Sequence, residues 1–274
     1  MPDLLRIKTG PMTGLAKIGF HLFDLAAYEF LYRLSPARRL KFFNGGYLPL
    51  ADDLLSGADE APHAMMYHLL VRSMVSDLNV APTRLLDVGC GQGGGLGYVR
   101  RVFPQTALTG TDRNGSVVRL ARRNLAGLSD VTLVKATGDR LDFPDDSFDF
   151  VLSVGAPTYF GLTRFVTEAA RVCQAGGTVA FSGGYRQGDH ALIEAELREA
   201  ASAVGLYFVR YANITPNTFA SLKADIPRRV ELLKQVPWPF SVYGRKWSDL
   251  PGSAEYDEYE TGKRADFACV MTRP

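Results

Sequence analysis

Leu85-Leu86-Asp87-Val88-Gly89-Cys90-Gly91-Gln92-Gly93 is the stretch on which the reading of this chain turns. Leu85 to Val88 are apolar except for one carboxylate, and the run is short enough to be a buried strand. Three glycines then alternate with other residues, and from 94 to 103 the pattern becomes helical. Glycines at such a strand-to-helix junction let the backbone turn tightly and let a ligand approach to contact. Their spacing leaves the ligand open. Gly89, Gly91 and Gly94 also fit the fingerprint that seats a dinucleotide pyrophosphate on a helix N-terminus. Asp87 argues against a pyrophosphate: a carboxylate just before the loop suits a cationic ligand and would repel an anionic one.

Outward from this loop, strand and helix patterns alternate. Strands are expected at 107–111, 131–134, 148–154, 178–182 and 207–211, and helices at 116–125, 163–172 and 190–204. The alternation implies an α/β chain with a doubly wound, mostly parallel sheet covered by helices on both faces. Ligands of such sheets bind at the carboxyl ends of the strands, near the switch point. Acids stand at two of those ends. Asp112 closes the second strand, where a carboxylate bonds ribose hydroxyls. Asp139 follows the third, in Thr137-Gly138-Asp139-Arg140, where it can accept from the exocyclic amine of an adenine.

Leu86-Asp87-Val88-Gly89-Cys90-Gly91-Gln92-Gly93 resembles motif I of the class I S-adenosylmethionine (SAM)-dependent methyltransferases. Thr111-Asp112 resembles their ribose-binding position and Gly138-Asp139-Arg140 their adenine-binding turn. Asp145-Asp146-Ser147-Phe148-Asp149 before the fourth strand is similar to theirs. So is Gln174-Ala175-Gly176-Gly177 before the fifth, with Ala175 in place of the usual proline. The resemblance runs from about 85 to 182. It implies a Rossmann-like, seven-stranded sheet whose last strand is antiparallel, supplied by 267–271. It also implies SAM as cofactor and S-adenosyl-L-homocysteine as product. The cofactor-binding residues it implies are Tyr47, Tyr67, Asp87, Gly89, Cys90, Gly91, Gly93, Asp112, Arg113, Asp139, Arg140 and Val154.

A narrower resemblance rests on Cys90-Gly91-Gln92-Gly93-Gly94-Gly95, Asn44-Gly45-Gly46-Tyr47 and His63-x-x-x-Tyr67-His68. These look like the actinobacterial phthiotriol and phenolphthiotriol dimycocerosate methyltransferases and related natural-product enzymes, which methylate hydroxyls on large apolar acceptors. In that group Tyr47 and Tyr67 belong to N-terminal elements folding over the cofactor. The chain departs from the group after the fourth strand. Gly155-Ala156-Pro157-Thr158-Tyr159 stands where the group has Glu-Ala-Ser-His, so the histidine that could act as base is absent there.

Three segments are expected: an N-terminal helical lid (1–80), the SAM-binding core (81–213), and an insert with the final strand (214–274). In the lid, Phe20, Phe23, Ala27, Phe30, Leu31 and Leu34 recur at helical spacing. A second helix is expected at 63–78, with Pro62 in its first turn. In the insert, a helical patch at 218–235 contains Pro227 as a break, and aromatic residues follow. Trp238, Tyr243 and Trp247, with Thr158 and Phe160 after the fourth strand, are expected to line the acceptor pocket. A hydroxyl acceptor needs a base; the candidates are Tyr159, His63 and His68.

A net charge of +2 gives no electrostatic footprint for nucleic acid. The residues after the fourth strand also lack the Asp/Asn-Pro-Pro-aromatic pattern of amine-methylating nucleic-acid enzymes. Cys90, Cys173 and Cys269 are too scattered for a disulfide framework or a metal cluster, which favours a reducing cytoplasm. The N-terminus has no apolar signal region, and no apolar run reaches the roughly 18 residues of a membrane span. The expected partner is a small-molecule acceptor, with a homodimer left open. The reading is methyl transfer to an apolar or aromatic acceptor, oxygen slightly ahead of carbon on an electron-rich aromatic such as an indole. The competing readings are an NAD(P)-linked oxidoreductase and a non-catalytic SAM-binding regulatory protein.

Overall fold

The computed structural model describes residues 40–49, 60–75, 81–237, 241 and 248–274. The helix expected around Phe20 to Leu34, and Trp238, Tyr243 and Trp247, lie outside the described residues.

The core alternates as expected. β1 (Arg84–Val88) leads through the glycine loop into α2 (Gly94–Val102), preceded in the chain by α1 (Ala61–His68). Then come β2 (Ala107–Asp112), α3 (Gly115–Asn124), β3 (Val131–Lys135), β4 (Phe148–Val154), α4 (Pro157–Phe160), α5 (Leu162–Val172), β5 (Cys173–Tyr185), α6 (His190–Ala203) and β6 (Tyr207–Asn213). The insert supplies α7 (Thr215–Lys234) and α8 (Ala254–Glu260), and the chain ends in β7 (Ala265–Thr272). One seven-stranded sheet results, in the order β3-β2-β1-β4-β5-β7-β6. β1 pairs in parallel with β2 and β4, whereas β7 runs antiparallel between β5 and β6. The order reverses between β1 and β4, which makes their carboxyl ends the switch point.

Strand side chains alternate faces, and the core splits accordingly. Leu85, Val154, Ala180 and Ala268 face α1 and α2. Leu86, Val151, Val179 and Phe267 face α5 and α6. β4 is buried on all but one position, as a central strand must be. Asn114 caps α3 and Asp189 caps α6, each side chain accepting from two backbone N–H groups of the first turn.

The structure corrects the sequence reading at several places. α7 runs unbroken through Pro227. The proline deprives the Lys223 carbonyl of its partner, but both residues are exposed, so water replaces the lost bond. Asp225 also bridges the site, taking Arg228 Nε at 2.5 Å and Arg229 Nε at 2.8 Å. The second lid helix starts at Ala61 and passes into a π-helical turn at Leu69–Ser73. β5 begins five residues before the expected 178. α4 and α8 are short helices that sequence periodicity does not reveal. No helix among the described residues is long and apolar enough to cross a membrane.

Candidate functional site

At the carboxyl end of β1 the chain turns through Gly89, at φ +79°. A Cβ there would lie 2.5 Å from the Ala156 Cβ, so glycine answers both the backbone and the space. The Gly89 and Cys90 N–H groups donate to the Thr111 carbonyl at 2.8 Å, tying the loop to β2. Cys90 is buried, its sulfur packed against Gly110, and burial pushes its thiol well up. It reads as a packing residue.

Asp87 is fully buried. Its Oδ2 accepts from the Tyr67 hydroxyl at 3.4 Å, while Oδ1 is buried without a partner. Burial pushes its carboxyl up to about 7; the Tyr67 hydroxyl pulls it down and neighbouring Asp112 pushes it further up. Asp112 closes β2. Its Oδ1 accepts from the Asn114 N–H at 2.8 Å, and its carboxylate is also bonded by the Gly91 N–H. Burial raises its pKa and those two bonds oppose the rise. Two acids therefore flank the glycine loop, a costly arrangement unless a cation or donors complete it.

A narrow cleft of about 30 Å³ opens over this loop, lined by Lys41, Phe42, Asn44, Tyr67, Gly91 and Val154, among others. The 41–47 segment forms one wall. The Lys41 carbonyl accepts from the Gly94 N–H at 3.1 Å, and the Lys41 N–H donates to the Glu60 carboxylate at 3.1 Å. Sequence reading missed Lys41 and Phe42. Lys41 looks like part of a solvated basic face, and only the adjoining Asn44-Gly45-Gly46-Tyr47 hints at the wall.

Of the residues singled out in the sequence, Tyr67, Asp87, Gly89, Cys90, Gly91, Asp112 and Val154 are brought together here. Gly93, at φ +85°, packs against Leu125 at the start of α2. Tyr47 is half-buried against the core, its N–H bonded to the Pro62 carbonyl at 2.8 Å. Arg113, Asp139 and Arg140 are exposed, the last two in the turn after β3. The Phe160 ring lies against Gly138 of that turn and reaches Gly89. Thr158 packs against Gly183 at the end of β5, and Tyr159 is 54% exposed between them.

The two histidines are occupied by the protein. His63 is buried; its Nδ1 lies 2.8 Å from the Asn44 carbonyl and its Nε2 2.8 Å from Arg228 Nη2. The same Nε2 lies 3.6 Å from Asp225 Oδ2. His68 Nδ1 lies 2.6 Å from the Tyr98 hydroxyl on α2. Both ring contacts fasten α1 to its neighbours.

Known proteins share this architecture. Residues 86–181 match a family model described as a methyltransferase domain. A fatty-acid O-methyltransferase of Mycolicibacterium smegmatis is 37% identical over 163 residues, covering 55% of this chain and 57% of that one. A phthiotriol/phenolphthiotriol dimycocerosates methyltransferase of Mycobacterium ulcerans is 33% identical over 162 residues, covering 57% of each. The chain thus matches little more than half the length of these relatives. A geranyl diphosphate C-methyltransferase from Streptomyces coelicolor, solved with S-adenosyl-L-homocysteine, superposes with a TM-score of 0.63 over 92% of this chain and 97% of its own, at 16% identity. That likeness speaks for the fold.

Proposed function

We propose that this chain, which carries a methyltransferase domain over residues 86–181, transfers a methyl group from SAM to an oxygen of a lipophilic small molecule. The observation that carries the cofactor assignment is the buried, unpartnered Oδ1 of Asp87 beneath the glycine loop, next to a narrow cleft. A buried carboxylate oxygen without a partner is costly. The α-ammonium of an amino-acid cofactor supplies the missing donors and charge, whereas a pyrophosphate would worsen the repulsion. Asp112 suits the ribose hydroxyls, and Asp139, exposed in the turn after β3, suits the adenine amine. Phe160 and Val154 offer apolar surface between them.

SAM carries its methyl on a positively charged sulfur, so the group arrives activated. The protein has to orient the acceptor and keep water out, and positioning of this kind contributes up to about 7–11 kcal/mol. Oxygen is supported by the names of the two mycobacterial relatives, and lipophilicity by the Phe42 and Phe43 wall.

Calorimetric titration tests the reading. SAM and S-adenosyl-L-homocysteine are expected to bind in the micromolar range, and NAD(P)H not at all. Asp112→Ala and Asp139→Ala should each weaken SAM binding by about 1–3 kcal/mol, the cost of an unpaired polar partner. Unchanged affinity in both variants would overturn the assignment.

A further inference from the structure

β7 enters the sheet with its first residues at the carboxyl edge of β5: Ala265 lies opposite Tyr185, and Asp266 opposite Gly184. Arg264, the residue before the strand, therefore stands at the edge where Asp87 and Val154 end their strands. Residues two apart share a face, and Ala268 shares the face of Val154. Asp266 and Arg264 extend that face beyond the strand ends.

The Arg264 guanidinium is anchored on one side only. Its Nε donates to Asp266 Oδ1 at 2.8 Å, and its carbon sits 5.4 Å from the centre of the Tyr259 ring. Asp266 is itself fixed, its Oδ2 accepting from Thr218 at 2.6 Å and Tyr259 at 2.5 Å. Nη2 lies over Gly184, where a Cβ would come within 2.6 Å of it. Among the described residues neither terminal nitrogen has a hydrogen-bond partner, and the side chain is 22% exposed. The other carboxylate acting on Arg264, Asp249, is taken by Arg229 at 3.2 Å. Arg264 also acts electrostatically on the Tyr159 hydroxyl. A rigid fork with open donors is the group that recognises a planar carboxylate.

Building on the methyltransferase reading, we infer that Arg264 seats the carboxylate of the acceptor, so that the substrate is a lipophilic acid methylated on its carboxylate oxygen. One oxygen rests on the guanidinium while the other is presented to the methyl group. The free oxygen forms the new C–O bond, the C–S bond breaks, and its electron pair stays on sulfur. One negative and one positive charge cancel, and no proton moves. A carboxylate is already ionised at neutral pH, so the acceptor needs no base after β4, where residues 155–159 include no histidine. One guanidinium carries a single charge and so matches a monoanion.

The test is calorimetric titration with dodecanoate, dodecan-1-ol and dodecyl phosphate, with and without saturating S-adenosyl-L-homocysteine. The native chain is expected to prefer dodecanoate. Arg264→Gln should weaken dodecanoate about ten- to a hundredfold, in line with the loss of charge-assisted hydrogen bonds. It should leave dodecan-1-ol and S-adenosyl-L-homocysteine unchanged, and Arg264→Lys should recover part of the loss. If dodecanoate and dodecan-1-ol weaken alike in Arg264→Gln, Arg264 is a structural clamp and the inference falls. No preference for dodecanoate over the alcohol, or tighter binding of the phosphate, also overturns it. Absence of S-adenosyl-L-homocysteine binding would instead sink the cofactor reading, while the dodecanoate titration still reports on Arg264.

Discussion

At Asp87 the fold holds a carboxylate in a place that favours its protonated form. Its pKa of about 7 in the folded chain, against 3.8 as the ordinary value, has burial as its largest cause. A carboxyl whose folded pKa is raised stabilises the fold most below its unfolded pKa. That contribution is lost as pH rises through about 4 to 7. Asp87→Asn keeps the shape and a partner for Tyr67 but removes the buried charge. The ligand-free variant should melt higher than the native chain at pH 8, and the gap should narrow steadily as pH falls toward 4, read by circular dichroism. The same change should weaken SAM, because the ammonium loses its counter-charge. In the native chain SAM affinity should fall by up to about tenfold per unit as pH drops below 7, since the carboxylate form is the one that binds. A flat profile between pH 5 and 8 would show that the ammonium lies elsewhere. The motif made Asp87 visible in the sequence. Its orphan oxygen was not, because Tyr67 is 20 residues away and the burial comes from the whole sheet.

At the scale of elements, α1 and α2 meet at the Tyr67 ring as well as at His68 and Tyr98. A Cβ on Gly95 would lie 2.0 Å from Tyr67 Cε1 and Cζ, and 2.5 Å from the hydroxyl that bonds Asp87. Gly95 thus lets α1 approach closely enough for Tyr67 to reach the carboxylate. Gly95→Ala should cost about 1–3 kcal/mol in urea unfolding through overpacking, and weaken SAM by displacing Tyr67. In a Tyr67→Ala background the clash is gone, and alanine's better helix propensity should make the same substitution neutral or mildly stabilising. Equal costs in both backgrounds would remove Tyr67 from the account. The strands and long helices were legible because their apolar periods are strong. α4 and α8 are too short to show a period. α7 was misread because Pro227 normally ends a helix, and only its exposed position makes it tolerable. Nothing in the local sequence marks His63 as a fastening, since Arg228 is 165 residues away.

Over the whole molecule, three stretches distant in sequence close on the cleft. The 41–47 wall rests on the start of α2 through Lys41 and Gly94, and on α1 through the Asn44 carbonyl and His63. His63 in turn contacts Arg228 in the insert helix through Nε2, and Asn217 of the same helix donates to the Leu48 carbonyl at 2.6 Å. The insert therefore holds the wall against the glycine loop, and occupancy of the cleft should tighten both. A ligand that binds only the folded chain stabilises it by about 2.7 kcal/mol at a hundred times its Kd. For a chain of this size that corresponds to roughly 5–10 °C in Tm. Arg228→Ala breaks the link at the insert. It should weaken S-adenosyl-L-homocysteine by about 1–2 kcal/mol and shrink the thermal shift at fixed ligand concentration, although Arg228 is not among the described residues that line the cleft. His63→Ala should do the same, and the double variant should cost less than the sum of the two, because each substitution removes the same hydrogen bond. Strict additivity would mean that the insert and α1 act on the wall independently, without coupling through His63 and Arg228.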